Sequence, residues 1–418
     1  MTRLADLLAT VFERRPRRLS RGRVDDRPLV ELARELLGSA GEASGLALAD
    51  AILTRYEALT DEGKLAFLRQ IAAEMDIDPE AVRRALAAYE ARPSRATYRA
   101  FSAAAEPARQ ELIRRLNQVP GATARLVRMR ADLLRLGQGE APLEALDLDF
   151  RHLFASWFNR GFLVLRRISW ESPAHILEKI IAYEAVHAID SWDDLRRRLQ
   201  PDDRRCFAFF HPAMPDEPLI FVEVALTRGI PGSIQKLLAE DRAPMAAEEA
   251  DTAVFYSISN CQKGLRGISF GNSLIKQVAH DLAADLPGLK TFVTLSPIPG
   301  LIGWLKDQGI AHDVQDGEAM RALAAHYLLH AKAADGLPLD PVARFHLGNG
   351  AILHEVHANA DISAKGLAQS GGTMVNYLYK LDRVAQNHEL FVTRREVVAS
   401  PELRALAERA PLETGKER

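Results

Sequence analysis

Arg266-Gly-Ile-Ser-Phe-Gly-Asn272 lies between an apolar run, Ala253-Val-Phe-Tyr-Ser-Ile258, and an amphipathic stretch from Asn272 to Leu286. The run reads as a strand and the stretch as a helix, so Gly264, Gly267 and Gly271 belong to a strand-to-helix turn. Such a turn presents unpaired backbone N–H groups at the positive end of a helix dipole. Glycines let a bulky anion come close to that backbone, which is the chemistry of a phosphate cradle. Two familiar phosphate loops do not fit. No Gly-Lys-Ser/Thr follows, as a Walker A loop requires, and no clean Gly-x-Gly-x-x-Gly is present for a Rossmann site.

The other candidates for chemistry are single residues with two readings each. His346 is one of 12 histidines, and its neighbours Phe345 and Leu347 suit a half-buried structural imidazole as well as a catalytic one. Ser296 precedes Pro297, where a serine commonly stabilises a turn. Tyr379 fits a buried tyrosine bonded to backbone. His354, Glu355 and His357 suggest a metal cluster, but a strand over Ala351 to Val356 turns the two histidines to opposite faces. No metal site is expected. Only Cys206 and Cys261 are present, which excludes a disulfide framework and a cysteine-only metal centre. The basic run Arg196, Arg197, Arg198, Arg204 and Arg205 fits either phosphates or an exposed surface.

These residues need a frame. With 418 residues, 47% of them apolar, the chain can build two or three domains with real cores. A net charge of −2 gives no global case for binding nucleic acid or anionic membranes. No apolar segment reaches the roughly 20 residues that cross a bilayer. The arginine-rich start and the C-terminal Gly-Lys-Glu-Arg carry no clear address, so the cytoplasm is the expected compartment.

Residues 26 to 140 read as helical throughout, with apolar residues at three- and four-residue spacing in Leu29, Leu32, Leu36 and in Leu65, Leu68, Ile71, Met75. Asp78-Pro79 is a helix start. Gly137-Gln-Gly-Glu-Ala-Pro142 is the first linker, after which strands and helices alternate. Strands are expected at Phe162–Ile168, Cys206–His211, Leu219–Leu226, Thr252–Ser259, Thr291–Leu295 and Ala351–Val356. Helices are expected at Pro173–Tyr183, Trp192–Leu199, Ser233–Leu238, Asn272–Leu286, Gly300–Lys306 and Met320–His330. The expected fold is α+β: an all-helical bundle over residues 1–148, then a mixed α/β domain with a central sheet over 149–418.

The glycine turn resembles the pyrophosphate-binding loop of the GNAT acyltransferase superfamily, whose pattern is Arg/Gln-Gly-x-Gly/Ser-hydrophobic-Gly/Ala. In that arrangement the strands flanking the loop splay apart and the pantetheine arm of coenzyme A lies in the gap. Thr294-Leu-Ser-Pro-Ile-Pro-Gly300, Ala343-Arg-Phe-His-Leu-Gly-Asn-Gly-Ala351 and Asn376-Tyr-Leu-Tyr379 add a more specific likeness. So do Val222-Glu-Val-Ala-Leu-Thr227, Phe255-Tyr-Ser-Ile-Ser259, and Ile168-Ser-Trp-Glu-Ser-Pro173 with Glu184-Ala-Val-His187. Together, in this order, they resemble the signature segments of malonyl-CoA decarboxylases. The resemblance implies a helical bundle ahead of a GNAT-like catalytic domain, and conversion of malonyl-CoA to acetyl-CoA and carbon dioxide without metal or organic cofactor.

Carried over by motif, the catalytic pair falls on Ser296 and His346, with Tyr379 near the malonyl group. The ligand loop falls on Arg266, Gly267, Ile268, Ser269, Phe270, Gly271 and Asn272, while Ser257 and Asn376 are further candidates for polar contact with the malonyl end. Ser269 stands where animal relatives have glutamate, so a carboxylate role at that position does not carry over. The family also implies a homo-oligomer, dimer or tetramer. Two rivals remain: a GNAT-type acyltransferase, which needs an acceptor site and a base, and a non-catalytic coenzyme A-binding regulatory module, which needs neither Ser296 nor His346.

Overall fold

A computed structural model describes residues 26–268 and 274–412. The expected loop residues Ser269, Phe270, Gly271 and Asn272 lie outside the described residues. The first part is helical, as expected: α1 (Leu29–Gly38), α2 (Glu42–Glu57), α3 (Asp61–Glu74), α4 (Pro79–Ala91), α5 (Arg95–Ala105), α6 (Ala108–Leu116), α7 (Ala122–Leu136) and α8 (Ala141–Trp157). The three-and-four spacing turns Leu32 and Leu36 of α1, and Leu68 and Ile71 of α3, fully inward. Helix starts are written locally. Asp78 accepts from the Glu80 N–H at 2.9 Å and Ser94 with Thr97 closes a capping box.

The second part alternates β1 (Val164–Ile168), α9 (Ala174–Tyr183), α10 (Trp192–Leu199), β2 (Arg204–Phe210), β3 (Ile220–Thr227), α11 (Ile234–Leu237), β4 (Thr252–Asn260) and α12 (Leu274–Asp285). It continues with β5 (Thr291–Thr294), β6 (Ser296–Pro297), α13 (Leu301–Asp307), α14 (Gly317–His330), α15 (Pro341–Gly348), β7 (Ile352–His357), α16 (Ala364–Ser370), β8 (Met374–Leu378), α17 (Val384–Arg394) and α18 (Pro401–Ala407). The sheet order is β1-β2-β3-β4-β5-β8-β6, with β7 paired to β8. β2, β3 and β4 run antiparallel. β4 and β5 are parallel and pair only over Thr252–Phe255 and Thr291–Thr294. Parallel neighbours need a crossover, and the glycine turn with α12 supplies it.

By its contacts the chain forms two compact units. One holds the described residues 26–164 with His211–Glu217 and the loop 262–268; the other holds Leu165–Phe210, Pro218–Cys261 and the described residues from 274 onward. Helix α8 runs unbroken through residues 148 and 149. In the sheet unit, β3 is buried along its length up to Leu226 and β4 up to Ser257, the signature of strands covered on both faces. One apolar cluster joins α9 and α10 to Cys206, Ala208, Phe210 and Phe221. Another joins α11 to Val254, Val293, Leu295 and Met374.

Several charges sit inside this core. Glu223, on β3, is fully buried, and burial beside Glu184 pushes its carboxyl up to about 8. Arg198 reaches it at 3.3 Å and also holds Asp194. Arg204 is buried too, donating to the Leu237 carbonyl at 2.7 Å. Arg197 pairs with Glu240 and Arg196 lies over the Trp170 ring. The basic run is therefore largely committed within the protein.

Candidate active site

Ser296 and His346 come together. Ser296 stands just past the end of β5, where the chain turns into β6, and His346 lies near the end of α15. Asp340 starts that helix: its Oδ1 accepts the N–H groups of Val342 and Ala343, both at 2.9 Å, with Pro341 at the first helical position. Five residues on from Pro341, the helix turns the imidazole inward. Nε2 lies 3.2 Å from Ser296 Oγ and Nδ1 lies 2.8 Å from the Tyr379 hydroxyl. All three residues are buried.

The hydrogen-bond partners assign the tautomer. Ser296 O–H donates to Thr294 Oγ1 at 2.8 Å, so its Oγ is free to accept from His346 Nε2–H. Nδ1 then accepts from Tyr379 O–H. Thr294 Oγ1 also takes the Tyr377 N–H at 3.1 Å. The result is a directed chain, Tyr379 to His346 to Ser296 to Thr294. Tyr377 stacks on the imidazole, ring centroids 4.5 Å apart, and Phe345 meets it edge-on. Burial pushes the His346 pKa down to about 3 and the Tyr379 phenol well up. Both are neutral at working pH.

The pair opens on a cavity of about 230 Å³ lined by Phe255, Ile258, Pro297, Val342 and Phe345 among others. Its described lining includes no lysine, arginine, aspartate or glutamate. A larger cavity, about 290 Å³, is lined by Arg321, Glu355, Glu402 and Arg409, whose opposite charges balance; it lacks any nucleophile–base pair.

Ser257 and Asn376 are not among the residues lining the smaller cavity. Ser257 O–H donates to Glu184 at 2.6 Å. The Asn376 side chain donates to the Thr294 carbonyl at 2.7 Å and meets His357 Nε2 through its Oδ1. Glu184 lies just past the end of α9 and also accepts the N–H groups of Val186 and His187. It thereby holds a turn whose Val186 lines the cavity.

Around the described part of the glycine turn, Gly267 is left-handed at φ +79°, a backbone state that favours glycine. A Cβ on Gly264 would fall 1.8 Å from the Val127 carbonyl oxygen of α7. Buried Arg130 donates to the carbonyls of Gly264 and Arg266, at 2.7 and 3.0 Å, and is held by Asp147.

Sequence reasoning passed over Thr294, Tyr377 and Asp340 as site residues. Thr294 and Ser296 are two apart along one extended stretch, as are Tyr377 and Tyr379, so period-two spacing was the available signal. Asp340-Pro341 repeats the helix-start signature seen at Asp78-Pro79.

A mixed sheet in which the glycine turn and α12 connect the parallel strands β4 and β5, with a buried Ser–His pair at an apolar cavity and a helical unit earlier in the chain, defines an α+β protein of two units. Comparison with known proteins narrows this class. Residues 161–316 and 303–416 match the malonyl-CoA decarboxylase C-terminal domain, and residues 76–158 match the malonyl-CoA decarboxylase N-terminal domain. A solved malonyl-CoA decarboxylase from Agrobacterium vitis is 50% identical, with a TM-score of 0.86, covering 91% of this chain and 99% of that one. The enzyme from Rhodopseudomonas palustris is 49% identical, with a TM-score of 0.85, covering 90% and 98%. The mitochondrial malonyl-CoA decarboxylase of Anser anser anser is 35% identical over 347 residues, 71% of this chain and 69% of that protein. The chain belongs to the malonyl-CoA decarboxylase family and is a carboxy-lyase.

Proposed function

We propose that this protein decarboxylates malonyl-CoA to acetyl-CoA and carbon dioxide with Ser296 and His346 as its catalytic pair, without a metal or organic cofactor. The observation that carries the reading is the hydrogen-bonded chain Tyr379–His346–Ser296 at the wall of an uncharged cavity. Heterolysis of the C1–C2 bond of the malonyl carboxylate sends its electron pair into a thioester enolate as carbon dioxide leaves. The enolate oxygen needs a donor, and the new carbanion takes one proton.

His346 Nε2–H is the donor for the enolate oxygen. A neutral imidazole suits this role, because it stabilises developing charge without first trapping the substrate carboxylate as an ion pair. Ser296 O–H delivers the proton to carbon and is reprotonated from solvent once carbon dioxide has left, while His346 keeps its Nε2–H, turned by the substrate from Ser296 Oγ to the enolate oxygen, and Tyr379 O–H stays hydrogen-bonded to Nδ1. The cavity wall adds a further term. A carboxylate held among Phe255, Ile258, Pro297 and Val342 loses hydration, whereas the dispersed charge of the enolate needs less of it. The loop from Arg266 onward takes the diphosphate of coenzyme A. The protein acts as a homo-oligomer, for which α4 and α5 offer apolar surface.

The test is release of carbon dioxide from malonyl-CoA alone. Turnover only when an amine is added points instead to an acyltransferase, and tight binding without turnover to a regulatory module. His346→Asn is expected to lower turnover by roughly 100-fold or more, the usual range for a general acid–base group, with coenzyme A binding retained. Near-normal turnover in that variant removes His346 from the mechanism.

A further inference from the structure

We propose that Arg151, on α8, binds the diphosphate of the coenzyme A tail beside the glycine turn. This rests on the reading of that turn as the diphosphate loop, and it assigns part of nucleotide recognition to the helical unit.

The argument begins with position. Loop residues 262–268 pack into the same compact unit as α7 and α8. Gly264 is pressed against the α7 backbone so closely that no side chain fits there, and Arg130 clamps two of the loop's carbonyls. The loop is thus fixed relative to α8. From α8 the guanidinium of Arg151 approaches Gly267, with Nε, Cζ and Nη2 all 3.8 Å from where a Cβ would stand. Three guanidinium atoms at one distance from that point place the plane of the side chain beside the left-handed glycine.

Charge gives the second part. Arg109, Arg114, Arg115, Arg125, Arg128, Arg130 and Arg135 in this unit each face a carboxylate. Arg151 has no ion pair among the described residues, and it is exposed. An exposed, planar, five-donor cation beside a left-handed glycine of a phosphate-type turn matches two adjacent phosphates in both charge and geometry.

Calorimetric titration with coenzyme A and with pantetheine, which lacks the nucleotide diphosphate, tests this without requiring turnover. Arg151→Ala is expected to weaken coenzyme A roughly 10-fold or more, the scale of a lost charge-assisted contact, and to leave pantetheine affinity unchanged. Arg151→Lys keeps the charge but loses the fork, so its loss is smaller. Unchanged coenzyme A affinity in Arg151→Ala overturns the proposal. Equal losses for both ligands also overturn it, because they mean that Arg151 only props the loop. A wild-type protein that binds coenzyme A but releases no carbon dioxide sinks the decarboxylase reading while leaving the Arg151 test intact.

Discussion

His346 is the residue on which burial acts most directly. Burial alone holds its pKa near 3, against an ordinary value of about 6.5. The folded state therefore refuses a proton that the unfolded chain accepts between about pH 6.5 and 3. Stability from this source is complete above 6.5 and is lost as pH falls through that window. At pH 5 the loss is about 2 kcal/mol relative to neutral pH. His346→Asn lacks this slope, so its urea midpoint should fall less than that of the wild type between pH 7.5 and pH 5. Equal falls in both proteins would show that His346 does not carry the effect. Ser296 and Tyr379 show the limit of motif reading: the sequence named both, but not the order of donors from Tyr379 to Thr294. That order depends on which lone pairs are already taken.

At the scale of elements, α15 decides whether the Ser296–His346 hydrogen bond exists. Its N-cap, Asp340, is buried, and burial pushes its carboxyl up to about 6. The Gly300 N–H also faces the carboxylate, while Tyr327 and Tyr377 both feel its charge. Asp340→Ala should cost about 1–2 kcal/mol, typical of a lost cap, and turnover should drop as His346 loses its register. Asp340→Asn keeps the capping acceptor and removes a desolvated charge, so near-wild-type turnover is expected at pH 8. Loss of turnover in both variants would mean that the carboxylate itself is needed. The helix was written in the sequence by Asp340-Pro341, yet it spans only eight residues, too few for apolar periodicity to stand out. Strand β8 was hidden for a different reason. Met374, Val375, Asn376 and Tyr377 are all buried, so no in–out alternation marks them. Asn376 is tolerated there because its amide is spent on Thr294 and His357.

At the scale of the molecule, α4 and α5 pack on one another, yet neither contains a buried residue. Leu86 and Tyr98 are exposed on them, beside the Tyr89–Phe101 stack. An apolar face of this kind suits a second copy of the chain. Sedimentation should give a multiple of the 46.3 kDa chain mass, and Leu86→Asp with Tyr98→Asp should shift it downward; a monomer at micromolar concentration would remove the oligomer. What the sequence determined by itself is local. Apolar spacing set the helices of residues 26–140 and most strands, and glycines marked the turn between β4 and α12, because each follows from a few neighbouring side chains. The tertiary structure decided what distant residues do to one another. It brought position 346 within 3.2 Å of position 296, seated the described part of the loop on α7 and placed Arg151 beside Gly267. It also withdrew water from His346, since desolvation is a property of everything packed around a group and of no short stretch of chain.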